Sequence, residues 1–339
     1  MDKIKQLIQA IQPLMAYPYH TRVHKLKTFN SPYLACYVKR DDELSFGLSG
    51  SKLRKYLSLI PYLLNSNITT AILMGGSHSN NILSLSQLLI ENGIEPQLFL
   101  LGDKNSLLRG NLLLTRLLVP EKNIQWVSRQ AWPQVASMAQ NYVDKLGKKS
   151  TYVIAEGASV FPALPGALTL ALDILQNERF IAKQFDHIFI DAGTGLMAIA
   201  TILAFSWLRK EVRVHVLLLA EDETAFLQKL ALFKLEFEKL IDEKLAMEFI
   251  LKQIRFYRPT KAKAFGSTSS AIFKAIHSMA QQEGFLTDPI YSAKLFMEVP
   301  LIIEKQKLSG NALVIHSGGG LSLMGFSEPL IKQVLKDIE

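Results

Sequence analysis

The feature that most constrains the fold is an alternation between short apolar runs and longer stretches with helical spacing. The apolar runs are rich in β-branched residues and lie at 70–74, 97–101, 124–127, 152–154, 188–190, 212–219 and 312–315. Between them, at 82–89, 107–118, 164–175 and 196–208, apolar residues recur every three or four positions. Short strands that alternate with helices are typical of βαβ units around a parallel sheet. The sequence therefore predicts an α/β protein, with a further amphipathic helix at 221–245.

The chain is long enough for two domains, since 339 residues exceed the roughly 100–200 of one domain. A hydrophobic content of 49% with 20% charged residues excludes a disordered chain. Two loops of glycine and small polar residues, 75–80 and 193–195, each follow an apolar run and precede a helical stretch. Such loops bring backbone N–H groups to the carboxyl edge of a sheet, where α/β proteins bind anions. We expect two open, mostly parallel-sheet α/β domains with the active site in the cleft between them.

Charge is distributed unevenly along the chain. Residues 1–150 contain 18 Lys and Arg against 9 Asp and Glu, within a total net charge of +8. This basic half indicates an anionic partner, which could be nucleic acid, an acidic membrane or a small anion. A second basic run contains no acidic residue and consists of Lys252, Arg255, Arg258, Lys261 and Lys263. A solvated basic surface explains both features more simply than nucleic-acid binding.

The single cysteine and the lack of a long apolar segment bear on location. Cys36 alone excludes an intramolecular disulfide framework and a Cys-rich metal site, and it suits a reducing cytoplasm. The longest weakly polar stretch, 192–208, is interrupted by polar residues and is short for a membrane span, so a buried core helix is expected. No export signal is expected either. We expect a cytoplasmic protein with neither a membrane nor a nucleic-acid partner.

The segment 193–198 has the sequence Gly-Thr-Gly-Leu-Met-Ala, which fits more than one function. It matches a dinucleotide fingerprint, for which Glu221 or Asp222 would bind the ribose. That acid lies about 26 residues after Gly195, whereas the usual interval is ~20. A phosphate cradle needs only the glycine turn, the Thr194 hydroxyl and the start of a helix. The phosphate cradle is favoured, and a dinucleotide site or a simple packing turn remains open.

Lys52 follows a flexible loop and opens a stretch of helical spacing. Ser49 and Lys52 match the S-x-x-K pattern of serine acyl-transferases, but neither S-D-N nor K-[ST]-G occurs in the chain. In the first helical turn, the helix dipole and the neighbouring Arg54 and Lys55 would lower the lysine pKa. A lowered pKa favours the neutral amine that a Schiff-base lysine requires. From spacing alone, an ordinary surface lysine is the alternative.

Two further polar motifs follow apolar runs. The Ser77, His78 and Ser79 side chains and the helix-start amides suit a carboxylate ligand, although a polar N-cap cluster is the alternative. His78 has no second His or carboxylate at ligand spacing, so no metal site is expected. Near the other end, 316–320 reads His-Ser-Gly-Gly-Gly, in which the glycines indicate close backbone approach.

In their joint order these motifs resemble pyridoxal-phosphate enzymes of the tryptophan-synthase-β type. The resemblance is specifically to the 1-aminocyclopropane-1-carboxylate deaminase / D-cysteine desulfhydrase family. It runs from about residue 38 to residue 326 and rests on the segments 38–42, 50–55, 75–80, 110–114, 193–195, 288–294 and 316–319. It implies a larger cofactor-binding domain, 1–54 plus 166–339, and a smaller domain, 55–165, that carries the substrate loop.

The resemblance also implies roles for single residues. Lys52 would bind the cofactor covalently and move a proton, and Asn80 would hydrogen-bond the ring oxygen. Ser317 would face the ring nitrogen, which a neutral hydroxyl cannot hold protonated as a carboxylate would. Tyr291 and Ser79 complete the catalytic set. The phosphate would be bound by Gly193, Thr194, Gly195 and Leu196. The substrate would be held by Ser77, His78, Ser79 and Phe265.

Three residues depart from the pattern of the family that the chain resembles. Phe265 stands where a second tyrosine is usual, Ser292 follows Tyr291 where the deaminase branch has glutamate, and His78 replaces glutamine. The first two favour the desulfhydrase branch. The sequence therefore predicts a pyridoxal-phosphate-dependent lyase that converts a small amino acid, D-cysteine first, to an oxo acid and ammonia, in a homodimer. The alternatives are aminocyclopropane-carboxylate deamination, a nicotinamide-dependent oxidoreductase and a non-catalytic ligand- or nucleic-acid-binding relative.

Overall fold

Two separate sheets organise the protein in the computed structural model, which describes residues 2–146 and 150–335. The strands are β1 (Val23–Lys25), β2 (Leu34–Lys39), β3 (Thr70–Gly76), β4 (Glu95–Leu101), β5 (Ile124–Val127), β6 (Thr151–Ile154), β7 (His187–Ala192), β8 (Arg213–Leu218), β9 (Ile254–Tyr257) and β10 (Gly310–Ile315). The helices are α1 (Lys3–Ala10), α2 (Lys52–Asn65), α3 (Asn80–Glu91), α4 (Gly110–Leu118), α5 (Val135–Leu146), α6 (Leu164–Ala167), α7 (Thr169–Ile181), α8 (Leu196–Trp207), α9 (Glu223–Ile241), α10 (Met247–Gln253), α11 (Ser270–Glu283), α12 (Ser292–Gln306) and α13 (Ser327–Leu335).

The larger sheet has the strand order β1-β2-β10-β7-β8-β9, and the smaller one has the order β5-β4-β3-β6. All neighbouring strands are parallel except β1, which runs antiparallel to β2 at the edge of the larger sheet. This arrangement confirms the predicted α/β class. The smaller sheet uses only strands between residues 70 and 154, which lie inside the range 55–165 predicted for the smaller domain. The domain boundaries themselves stay a prediction.

All of the apolar runs that predicted strands are strands in the structure, but three strands escaped prediction. β1 has only three residues, and β9 begins within the basic run and contains Arg255, so neither forms a continuous apolar run. β2 alternates buried and half-buried positions over most of its length, unlike the continuously apolar central strands. The predicted helix at 164–175 is also divided into α6 and α7. Local pattern therefore identified every strand of the smaller sheet and the three central strands β10, β7 and β8 of the larger one, but not the strands on either side of them.

The two sheets are linked by α2, which packs closely on α6. Gly166 of α6 lies against the Arg54 carbonyl, so close that a β-carbon at this position would clash. The Gly166 N–H also donates to the Ser58 hydroxyl at 2.8 Å. α8 is buried along nearly its whole length, as expected for a core helix. Across the described ranges, no helix combines the length and the apolar character that a bilayer span requires.

Candidate active site

The loop that carries Lys52 is tied to the loop that follows β10. The Ser51 backbone N–H donates to the Ser317 carbonyl at 3.1 Å, and the Ser51 hydroxyl donates to the same carbonyl at 3.3 Å. Gly50 has a φ of 57°, and a β-carbon there would overlap that carbonyl. α2 begins at Lys52 immediately afterwards. Lys52 and Ser317, which are far apart in the sequence, therefore lie in one site.

The amine of Lys52 has a lowered pKa, in the direction that the sequence predicts but from another cause. Burial lowers the pKa of Lys52, and the carboxylates of Asp191 and Asp288 oppose the shift. The predicted repulsion by Arg54 is not a cause, because Arg54 is turned into the core and bonded to Asp41 and Asp173. Desolvation disfavours the charged ammonium. Lys52 is therefore suited to nucleophilic and proton-transfer chemistry.

The segment between β3 and α3 supplies the predicted carboxylate-binding loop. Ser79 caps α3, since its Oγ accepts from Asn81 N at 3.2 Å and from Ile82 N at 3.4 Å. The alternative N-cap role is thus present, but the Ser79 hydroxyl hydrogen remains available to a ligand. Ser77 is half-buried and His78 is exposed. Desolvation of its imidazole by neighbouring groups, together with the charge of Arg109, lowers the pKa of His78.

Asn111 is a buried residue of this site to which the sequence assigned no role. Its Nδ2 donates to Asn80 Oδ1 at 2.6 Å and to the His78 carbonyl at 3.1 Å. These bonds orient the Asn80 amide so that Nδ2 faces Gly319, where a β-carbon would come within 2.8 Å of it. The segment 110–114 belonged to the resemblance, so its position in the motif order was the available signal. Asn111 connects α4 to the start of α3.

The glycine loop after β7 forms an open cradle at the start of α8. No side chain caps α8, and its first turn carries no acidic residue. Gly195 has a φ of 84°, and a β-carbon on Gly193 would lie 3.0 Å from the Tyr291 ring. The free N–H groups and the positive end of the helix dipole are therefore not covered by side chains, which suits a phosphate. The structure thus places residues 193–196, which were predicted to bind phosphate, beside Tyr291.

Lys55 lies behind this loop and was seen in the sequence only as a neighbour of Lys52. It is buried, and its Nζ donates to the carbonyl of Gly157. Gly157, in the turn after β6, packs against the Thr194 side chain. Burial lowers the pKa of Lys55 to about 7, and the charge of Lys52 contributes in the same direction. A second titratable amine therefore lies behind the glycine loop. It is held there by the carbonyl of Gly157, in the turn after β6 of the smaller sheet.

Tyr291 stands at the start of α12 with its ring between Lys52 and the glycine loop. The Lys52 Nζ lies 5.5 Å from the ring centroid. Phe265 contacts the other side of the ring edge-on, at a centroid distance of 6.0 Å, and is 56% exposed. Burial raises the pKa of Tyr291, and the carboxylates of Asp288 and Asp191 raise it further. The phenol is therefore held neutral and can donate a hydrogen bond.

Ser292, which stands where glutamate is expected in the deaminase branch, has a structural role at the start of α12. Asp288 accepts from the backbone N–H groups of Ile290, Tyr291 and Ser292. The Ser292 hydroxyl donates to Asp288 Oδ1 at 2.8 Å, and both side chains are buried. These bonds cap α12 and fix the backbone of Tyr291. Ser292 is therefore committed to Asp288 rather than open to the site.

Some of the residues considered for two of the alternative functions have partners within the chain. Asp222 caps α9 through Ala225 N at 2.8 Å, and Glu221 pairs with Lys229, so the acids proposed to bind a ribose have other partners. In the basic run, Arg255 donates to the Ile254 carbonyl at 2.6 Å, and Lys252 pairs with Glu248 at 2.6 Å. These contacts favour a phosphate cradle over a dinucleotide site.

Comparisons with known proteins agree with this geometry. The profile of the family described as "Pyridoxal-phosphate dependent enzyme" matches residues 16–318. A "Putative 1-aminocyclopropane-1-carboxylate deaminase" of Pyrococcus furiosus is 24% identical over 320 residues, covering 94% of each chain. The "Bifunctional D-cysteine desulfhydrase/1-aminocyclopropane-1-carboxylate deaminase, mitochondrial" of Arabidopsis thaliana is 29% identical, covering 85% of this chain and 73% of the relative. The crystal structure of an "ACC deaminase homologue" superposes with a TM-score of 0.83 at 22% identity, covering 98% and 99% of the two chains.

Proposed function

Because the chain belongs to the pyridoxal-phosphate-dependent enzyme family, we propose that it eliminates a β-substituent from a small amino acid, giving an oxo acid and ammonia. One observation carries the proposal. The low-pKa amine of Lys52 lies beside a neutral, half-buried tyrosine and a bare glycine loop at a helix start. D-Cysteine is the first substrate proposed, because the Arabidopsis relative is named a D-cysteine desulfhydrase.

The side chains and backbone of the site fit pyridoxal 5′-phosphate, which is the cofactor of this family. The uncovered backbone of residues 193–196 suits the phosphate, since β-carbons on Gly193 and Gly195 would meet aromatic rings at 3.0 Å. Lys55, whose pKa is lowered to about 7, would add positive charge behind this loop when it is protonated. The Asn80 amide, oriented by Asn111, would donate to the ring oxygen. Lys52 would hold the aldehyde carbon covalently, and Ser317 would face the ring nitrogen.

The cofactor, when bound, supplies the electron sink that makes the Cα proton of an amino acid acidic. The chain supplies the groups that move protons. Lys52 Nζ would take the proton from Cα, which its lowered pKa favours because the amine is then neutral before transfer. The bond between Cβ and sulfur breaks as the sulfur leaves with the bonding electrons. Water then hydrolyses the released enamine to the oxo acid and ammonia.

Tyr291 would donate a hydrogen bond to the sulfur as it leaves. Burial keeps the phenol neutral, so a hydrogen is present on its oxygen at the pH of the cell. Its backbone is fixed by the Asp288 cap, which limits where the hydroxyl can reach. Phe265 offers no second hydroxyl on this side and would act as an apolar wall for a small side chain. Tyr291 would thus stabilise the departing sulfur through its hydroxyl during the elimination.

The substrate carboxylate would bind at the start of α3. Ser77 and Ser79 would each donate a hydroxyl hydrogen to it, while the helix start supplies backbone N–H groups and the positive end of the dipole. His78 would form the exposed rim of this subsite. The carboxylate subsite follows β3 of the smaller sheet and the phosphate loop follows β7 of the larger one, so substrate and cofactor together would span the two sheets.

Ring opening of aminocyclopropane carboxylate is the second candidate, supported by the name of the Pyrococcus relative. Phe265 and Ser292 weigh against it. Phe265 has no hydroxyl, and the hydroxyl of Ser292 is bonded to Asp288 in the core. Elimination needs neither group and is therefore favoured.

Release of oxo acid from D- and L-cysteine, D- and L-serine and aminocyclopropane carboxylate tests the proposal. We expect D-cysteine to react fastest and Lys52→Ala to lose at least ~10²-fold in rate, as for loss of a general base. Lys52→Arg, which keeps a long basic side chain but not the nucleophilic amine, should be equally inactive. Cofactor-loaded protein that releases oxo acid from none of the four β-substituted substrates would contradict the elimination.

We also propose that the protein works as a homodimer in the cytoplasm. Support for a dimer is an apolar surface in which Leu107, Leu117 and Met324 are each at least 70% exposed, with α4 packed against residues 320–325. Support for the cytoplasm is Cys36, a buried thiol that is not in a disulfide. Sedimentation equilibrium at micromolar protein should give twice the mass of 38.0 kDa. A monomer mass would reject the dimer.

A further inference from the structure

A cavity lies at the edge of the larger sheet that is opposite to the candidate active site. Its volume is about 930 Å³, and the first residues of β7, β8 and β10 line it. The candidate active site contains residues that follow the other ends of β7 and β10, such as 193–196 and Ser317. These two strands have six residues each, which separate the two places by roughly 20 Å at ~3.3 Å per residue. The cavity is therefore distinct from the candidate active site, and the proposed function gives it no role.

Basic side chains outnumber acidic ones around this cavity. Six of the residues that line it are Lys or Arg, and three are Asp or Glu. The basic residues come from α1, from the chain between α8 and β8, and from the segment around α10, and they are Lys3, Arg209, Lys210, Arg213, Lys244 and Lys252. A concave surface with an excess of one charge concentrates ions of the opposite charge. The cavity therefore favours an anion.

Two of the three acidic residues that line the cavity already have partners in the chain. Glu243 Oε2 accepts from Lys3 Nζ at 3.3 Å and from Trp207 Nε1 at 2.9 Å. Asp186 Oδ2 accepts from the backbone N–H of Asn311 at 2.8 Å. The third acidic residue, Glu211, is exposed to solvent. The excess of basic side chains is therefore not cancelled by the acids of the cavity.

Two arginines of the cavity are unengaged. Lys210, Lys244 and Lys252 each pair with a glutamate that does not line the cavity. Arg209 and Arg213 are exposed, and neither guanidinium forms an ion pair or a hydrogen bond with a residue in the described ranges. A guanidinium presents a planar fork of N–H donors that matches two oxygens of a phosphate group. The cavity thus offers two groups suited to phosphate.

An apolar wall stands beside these charges. Leu245, Ala246 and Phe249 line the cavity, and the side chain of Phe249 is 64% exposed. Lys252 Nζ lies 5.5 Å from the centroid of the Phe249 ring. An exposed aromatic ring can stack on another planar ring. The volume of the cavity also falls within the roughly 300–1,000 Å³ of small-molecule sites.

We propose that this cavity binds a small molecule with two or more linked phosphates, and that Arg209 and Arg213 are its main protein ligands. The cavity is much larger than one phosphate group, and its basic side chains come from three segments of the chain. A chain of phosphates therefore uses more of these charges than a single phosphate does. The phosphates belong either to an inorganic polyphosphate or to a nucleotide, whose base would stack on Phe249. The inference goes beyond the proposed function and does not depend on it.

Isothermal titration of the holoenzyme, freed of excess cofactor, tests the proposal with tripolyphosphate and with ATP. Bound cofactor keeps the glycine loop at 193–196 occupied, and magnesium is left out because it would neutralise the phosphates. We expect both probes to bind, and inorganic phosphate to bind at least about tenfold more weakly. Arg209→Gln and Arg213→Gln should each weaken binding of both probes about tenfold, because each removes a charge-assisted hydrogen bond.

Arg129→Gln is the matched control and should keep the affinity of the wild type. Arg129 is exposed after β5 of the smaller sheet, and it too has no ion pair with the described part of the chain. Thermal denaturation without a probe checks that each variant is folded. ATP that binds more tightly than tripolyphosphate, by a factor that Phe249→Ala removes, supports the proposal with a nucleotide as the source. Equal affinities support it with an inorganic polyphosphate.

Three results overturn the inference. One is that neither tripolyphosphate nor ATP binds to the wild-type holoenzyme. Another is that both arginine variants bind as tightly as the wild type, or that Arg129→Gln loses as much affinity as they do. The last is that inorganic phosphate binds as tightly as tripolyphosphate, because a linked chain of phosphates would then have no advantage. Each of these results leaves the proposed function standing.

Discussion

The guanidinium of Arg54 and the carboxylate of Asp41 form a buried bidentate ion pair, with both N–O distances at 2.7 Å. Neither side chain is exposed. Asp173 of α7 accepts from Arg54 Nη2 at 2.7 Å and from Lys39 Nζ at 2.5 Å. The network joins β2, α2 and α7. Because Arg54 follows Lys52 by two residues, it fixes the start of α2 and with it the position of the Lys52 backbone.

Replacing Arg54 by methionine should destabilise the protein by about 3–5 kcal/mol, because two buried carboxylates would lose their main cation. Urea denaturation of the cofactor-free protein measures this cost. Arg22→Met is the matched control, since Arg22 pairs with Glu43 at 2.6 Å on the surface and its side chain is 62% exposed. Exposed pairs contribute about 0–1 kcal/mol. Equal losses in the two variants would contradict the assigned role of the network.

Sequence reasoning identified the elements that are encoded by contiguous residues. It missed the residues whose role depends on partners far away in the sequence. The strands at the sheet centres and the glycine loop are encoded in contiguous residues, so periodicity and turn chemistry found them. Arg54 was seen only as a charge near Lys52, because its partner Asp173 is 119 residues away. In the sequence, Ser292 stood out only because glutamate is usual at its position. Its bond to Asp288 forms only in the folded start of α12 and has no sequence pattern. Asp191 ends an apolar run and carries no local pattern at all.

Replacing Asn111 by leucine should weaken cofactor binding about tenfold or more, because the Asn80 amide would lose the donor that orients it. The buried carbonyl of His78 would also lose a partner, at about 1–3 kcal/mol of stability. Fluorescence titration with pyridoxal phosphate and urea denaturation measure the two effects.

Asn123→Leu provides the control for this loss. Asn123 is buried, as Asn111 is. Its Nδ2 donates to Glu95 Oε1 at 2.9 Å and to the Pro96 carbonyl at 3.2 Å, at the beginning of β4. It should therefore lose similar stability without any loss of cofactor affinity. If both variants bind the cofactor equally, Asn111 has only a structural role.

Acid should destabilise the protein through His215, which is buried between His187 and Tyr257. Burial lowers the pKa of His215 to about 3, and the neighbouring His187 contributes. The unfolded chain, with a histidine pKa of ~6.5, binds this proton more readily, so stability is lost as the pH falls below that value. We expect a contribution of about 3 kcal/mol to be lost by pH 4.

His215→Phe should reduce this acid loss, because no imidazole remains to be protonated. Tyr257→Phe keeps the imidazole and should retain the acid loss of the wild type. Unfolding free energies from urea titrations at pH 7 and pH 4 give the comparison. Identical differences between the two pH values in the wild type and His215→Phe would rule out His215 as the source.

Binding of a phosphate ester should weaken as the pH rises above 7, because Lys55 must be protonated to attract it. Burial, with the charge of Lys52, lowers the pKa of Lys55 to about 7 in the free protein. The ester, with a second pKa near ~6, is already a dianion in this range and stabilises the charged amine. A proton is therefore taken up on binding, and affinity should fall by up to about tenfold per pH unit. Pyridoxine 5′-phosphate is the probe, because it lacks the aldehyde and cannot react with Lys52.

The pH slope of this affinity should disappear in Lys55→Met, which has no amine to protonate. Isothermal titration between pH 7 and pH 9 measures it, and the proton uptake appears as a dependence of the heat on the buffer. Lys210→Met is the control, because Lys210 pairs with Glu178 at 2.8 Å near the opposite edge of the larger sheet. The control should keep the wild-type slope. A slope that survives in Lys55→Met would assign the titration to another group and leave Lys55 as a purely structural bond to the Gly157 carbonyl.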